Sequence, residues 1–72
     1  MNFNNKRYTY WVDETFSGEF AIQTGLVYGV YDTKLNKKWY HPDNIPITSR
    51  KQAIEQAILL NTFEELQNEP NQ

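Results

Sequence analysis

Glu19-Phe20-Ala21-Ile22-Gln23-Thr24-Gly25-Leu26-Val27-Tyr28-Gly29-Val30-Tyr31 is the stretch that decides how many strands this chain builds. From Glu19 to Thr24 the residues alternate, Phe20 and Ile22 on one parity and Glu19, Ala21 and Gln23 on the other, the pattern of a half-buried strand. From Leu26 both parities are apolar, Leu26, Tyr28 and Val30 against Val27 and Tyr31, as expected of a strand covered on both sides. Gly25 and Gly29 are positions where a strand can bulge or bend. Gly25 alone is too short a break for a comfortable hairpin. The stretch therefore predicts one long strand bent at Gly25, with two separate strands as the alternative.

On the N-terminal side, Tyr8, Tyr10 and Val12 alternate with Thr9 and Trp11, which predicts a first strand over Arg7–Val12. Asp13-Glu14-Thr15 and Ser17-Gly18 then read as a turn. On the C-terminal side, Asp32-Thr33-Lys34-Leu35-Asn36-Lys37 reads as a hairpin connection, with Asn36 suited to the left-handed position such loops need. Lys38 to His41 returns as a strand with Trp39 and Tyr40 on opposite faces. Pro42 and Pro46 bracket an extended link that cannot be helical.

The helix start is the strongest local signal. Ser49 followed by Gln52 fits a capping box, and Thr48 offers a second cap. Ile54, Ala57, Ile58 and Asn61 share one helical face, expected to lie on the sheet. Leu59, Phe63 and Leu66 share another. Thr62 followed by Glu65 repeats the capping pattern, so the helix runs from Arg50 to about Gln67 or breaks near Asn61 and restarts. The fold class is α+β: a small curled antiparallel sheet of three to four strands packed against one C-terminal helix. The expected core is Tyr10, Phe20, Ile22, Tyr28, Val30, Trp39, Ile54, Ala57 and Ile58.

Seventy-two residues make one domain, 1–72, with 1–5 and 68–72 expected to fray. Without cysteine there is neither a disulfide nor a thiolate metal site, so stability must come from apolar packing or a partner. Aromatics at 15% compensate, because each ring buries on the order of 150–250 Å². The first residues lack the apolar run of a secretory signal, and no stretch approaches the roughly 20 apolar residues that span a bilayer. The expected location is cytoplasmic.

Few residues point to chemistry. His41 is the one histidine, which excludes paired-histidine motifs within the chain and reads as a surface residue at a strand end. Asp13-Glu14 and Glu64-Glu65 are sequence neighbours whose side chains diverge, so neither makes an acid/base couple. No glycine precedes the helix to cradle a phosphate. The expectation is a non-enzymatic protein with no catalytic residue, metal, cofactor or small-molecule substrate.

Two binding readings follow. The leading one is a protein-interaction module of adaptor or inhibitor type, with Leu59, Phe63 and Leu66 as the interface and a homodimer through the C-terminal helix as its simplest form. The competing fate of that stripe is to fold back after a break at Asn61 and complete the core. The second reading is a nucleic-acid-binding module using Lys34, Lys37, Lys38, Tyr40, Arg50 and Lys51, on a molecule basic at one end and acidic at the other. The order of strands, charged hairpin Asp32–Lys38, last strand, and helix opening at Thr48-Ser49-Arg50-Lys51-Gln52-Ala53 resembles the N-terminal DNA-binding domains of tyrosine integrases. Double-stranded-RNA-binding domains share a similar order. The likeness spans about Leu26 to Leu60, implies the nucleic-acid reading, and assigns no residue roles. The chain departs from it in its net charge of −2 and in having Asn36 where a glycine would sit.

Overall fold

The computed structural model describes residues 3, 5–15 and 18–67; the expected frayed tail 68–72, most of the N-terminal segment 1–5, and Ser17 of the first turn lie outside them. Three strands, β1 (Tyr8–Val12), β2 (Tyr28–Asp32) and β3 (Lys37–Trp39), form an antiparallel sheet in the order β1-β2-β3. A short helix α1 (Glu19–Gln23) joins β1 to β2, and the long helix α2 (Arg50–Gln67) packs on the sheet. The α+β class, the antiparallel sheet and the C-terminal helix agree with the sequence reading.

The long bent strand does not form. Glu19–Gln23 is helical, and Gly25, read as a strand bulge, is instead the glycine that ends α1. Its φ of 78° is left-handed, its N–H donates to the Ile22 carbonyl, and the Leu26 N–H donates to the Ala21 carbonyl. This pair of bonds is a Schellman ending, which satisfies carbonyls that a helix would otherwise leave open. Gln23 donates to Glu19 one turn back, adding a side-chain tie typical of i, i+4 neighbours. Phe20 and Ile22, on one side of the expected strand, lie about 200° apart around a helix. Phe20 is consequently exposed and Ala21 buried.

The hairpin follows the reading. The Asp32 carboxylate accepts the N–H groups of Lys34 and Leu35, and Asn36 takes a left-handed φ of 59°. β3 runs Lys37–Trp39, one residue earlier at its start and shorter than the expected Lys38–His41. At the start of α2, Ser49 Oγ accepts the Gln52 N–H at 3.1 Å. The Gln52 side chain reaches back to the N–H and hydroxyl of Thr48, so both candidate cap residues take part.

α2 is continuous through Asn61, so the break and restart do not occur. Its sheet-facing row is Ala53, Ala57 and Asn61, spaced by one turn and all buried. Ile58 lies off that row and is exposed, contrary to its expected place in the core. The reason is geometric: the row that best clears the sheet is the one with the smallest side chains, letting the helix axis come close. The core gathers Tyr8, Val30 and Ala57, with Phe3, Trp39, Ile47 and Leu60 packed around them. Of the expected core, Val30 and Ala57 are fully buried; Tyr10, Ile22, Tyr28, Trp39 and Ile54 are partly so.

Candidate protein interface

Asn61 fixes how α2 sits, and therefore which side of it faces outward. Its side-chain carbonyl accepts the Tyr8 N–H and its amide donates to the Tyr8 carbonyl, both at 2.8 Å. The carboxamide thus pairs with the main chain of β1 as a neighbouring strand would. Next to it, Arg7 holds the Asp32 carboxylate with two nitrogens at 3.0 and 2.9 Å and Glu64 with a third at 3.0 Å. Lys6 pairs with Glu65. The Arg7 hydrogen bonds hold the Asp32 carboxyl below its usual range, helped by the Leu35 and Lys34 N–H groups against the cost of burial.

With that face anchored, Leu59, Phe63 and Leu66 point away from the sheet and are 48%, 53% and 61% exposed. The fold-back into the core does not take place. Leu59 also lines a groove of about 250 Å³ between α2 and the link after β3, together with Ile45, Pro46, Ile47 and Gln56. Ile45, itself 57% exposed, extends the apolar surface beyond what the helical stripe alone indicates. Nothing in the sequence pattern places Ile45 beside Leu59; only the path of the proline-bounded link does.

The basic residues do not gather in one place. Lys34, Lys37 and Lys38 lie on the hairpin and β3, and Tyr40 follows them, highly exposed. Arg50 and Lys51 open α2 at the far end, roughly 16 Å along the helix from Asn61, which meets Tyr8 beside the hairpin. Lys6 and Arg7 are engaged by Glu65, Asp32 and Glu64, so base and acid meet at the same end of the molecule. The expected division into a basic and an acidic end is not what the fold produces.

On the sheet face opposite α2, the Trp11 indole lies across Gly29, its paired residue, and the Lys38 ammonium sits 4.2 Å from the ring centre. His41 accepts the Asp43 N–H at Nδ1 and packs edge-on to Trp39, ordering the turn that follows β3. Among the described residues there is no cluster of three potential metal ligands, and no helix is long and apolar enough to cross a membrane. Comparison of the chain with known protein families, curated proteins and solved structures returned no significant match.

Proposed function

We propose that this chain is a non-enzymatic protein-interaction module whose binding surface is the outward face of α2. The carrying observation is the exposure of Leu59, Phe63 and Leu66 on a continuous helix whose opposite face is fixed to the sheet. Three large apolar side chains in one row, adjoining Ile45, make a patch of the kind that soluble chains cover with a partner. A second copy is the occupant this surface fits most directly. A helix laid antiparallel on its own twin presents the same row to itself, giving a self-complementary two-fold contact. The nucleic-acid reading has less behind it, because the hairpin lysines and Arg50–Lys51 make no continuous track along which to follow a phosphate backbone.

The test is sedimentation equilibrium and circular dichroism on the wild type and Phe63→Glu. The expected result is a wild-type dimer and a variant that is monomeric, with unchanged helical signal. Phe63 is more than half exposed, so the new charge costs the folded chain little and the interface a great deal. A monomeric wild type, or a variant that unfolds, overturns the reading.

A further inference from the structure

The two edges of the sheet are treated differently. At the β1 edge, Asn61 takes up both main-chain groups of Tyr8 and α2 packs along the strand. At the β3 edge, β2 is the one element among the described residues that packs extensively against the strand. The ladder fixes which β3 groups look outward. The Thr33 N–H donates to Arg7 and the Asp13 N–H to Val27, each at 2.8 Å, so Thr9–Tyr31 and Trp11–Gly29 are the bonded pairs between β1 and β2. By alternation Val30–Trp39 and Asp32–Lys37 are bonded between β2 and β3, and the N–H and C=O of Lys38 face away from the sheet. The same alternation directs the main chain of Tyr40, the first residue past the strand, to that edge.

Grooves flank this edge on both faces. On the helix side, Tyr8, Leu35, Lys37 and Trp39 line one of about 390 Å³. On the other side, Trp11, Leu26, Lys38 and Tyr40 line one of about 240 Å³. Lys34, Lys37 and Lys38 are all exposed, and among the described residues none has a carboxylate at ion-pair distance.

We infer that β3 is a strand-addition site for an extended acidic peptide segment of another protein. The outward main-chain groups would bond the added strand, its alternate side chains would enter the two grooves, and its carboxylates would meet the lysine of whichever face they occupy, Lys37 on the helix side or Lys38 on the other. The charge selects the occupant. A second copy adding antiparallel to this edge about its outward residue would set Lys38 against its twin, a like-charge arrangement that opposes pairing. A nucleic acid would leave the main-chain edge unused. The site borders the α2 face at Ile45, which lines a groove of each, but rests on the β3 main chain and lysines and is tested apart from Leu59, Phe63 and Leu66.

The experiment uses the full chain and fluorescence anisotropy with a labelled acetyl-Glu-Val-Glu-Val-Glu-Val-Glu-amide peptide. Its companions are the same peptide with Lys for Glu, the Glu peptide N-methylated at alternate residues, and an oligothymidylate. The Glu peptide should bind saturably, more weakly as salt rises, and the Lys peptide should not bind. N-methylation should weaken binding by about tenfold or more, since it removes main-chain donors without touching charge. The double variant Lys37→Glu, Lys38→Glu should lose binding with its circular dichroism unchanged, whereas Phe63→Glu should bind as the wild type does. Equal binding of the N-methylated peptide would reduce the site to unspecific charge attraction and overturn strand addition. Tighter binding of the oligothymidylate, or no saturable binding of the Glu peptide, would overturn it as well.

Discussion

Gly29 has no room for a side chain. A Cβ built there would come within 2.4–2.6 Å of three atoms of the Trp11 indole, so the ring's position across β2 depends on the missing methyl group. Gly29→Ala should therefore expel the indole from its seat and cost about 1–3 kcal/mol, the usual range for overpacking. Urea denaturation followed by tryptophan emission checks both parts: a lower midpoint and a shift of the folded-state emission to the red. At Asn61 the issue is satisfaction rather than space. Asn61→Ala leaves the Tyr8 N–H and C=O under a helix without partners, which should cost about 1–3 kcal/mol for each group left buried and unbonded. Amide hydrogen exchange makes the cause visible, because the Tyr8 amide should lose protection by more than its neighbours in β1.

At the scale of the element, α2 combines a reciprocal cap with an alanine row. Ser49→Ala removes the acceptor of the Gln52 N–H and should destabilise the fold by about 0.5–2 kcal/mol, read as a shift in the urea midpoint. Binding at the outward face should not change, since that face begins at Leu59. Ala57 is fully buried against the sheet, and Ala57→Leu should push α2 away at a cost of about 1–3 kcal/mol. The contrast with Ile58 is informative. Ile58 is larger and more apolar, yet 39% exposed, so truncating it should cost much less than removing a packed isoleucine would. Size and hydrophobicity alone do not choose the buried face of this helix; clearance over the sheet does.

Over the whole molecule, Arg7 joins β1, the hairpin and α2 through Asp32 and Glu64. The pH dependence of stability reports on this junction. Hydrogen bonding to Arg7 lowers the Asp32 carboxyl from its ordinary value, near about 3.9 in an unfolded chain. A group lowered on folding stabilises fully above the unfolded value, and that contribution disappears as pH falls through the folded one. Asp32→Asn should lose stability at neutral pH and show a flatter decline between about pH 5 and pH 2.5. Asp13, lowered by its hydrogen bonds to Thr15, contributes its own acid slope, so the difference between wild type and variant isolates Asp32. Urea midpoints across that range supply the measurement, and parallel curves would show that Arg7 and Asp32 contribute nothing to the slope.

The sequence by itself determined those features whose cause is local. Alternation marked β1, Asn36 marked the hairpin, and Ser49 with Gln52 marked the start of α2, because a turn conformation or an open N–H is satisfied within a few residues. The outward row Leu59, Phe63 and Leu66 was legible for the same reason: spacing alone sets which residues share a helical face. Only the tertiary structure decided the rest. Glu19–Gln23 alternates well enough for a strand; Gly25 closes it as a helix with bonds local to residues 21–26, but so short a helix holds only within the folded chain. The burial of Asn61, the Arg7 junction and the meeting of Ile45 with Leu59 join residues far apart in the chain. Such pairings follow from how the helix lies on the sheet, a geometry that no short window of sequence contains.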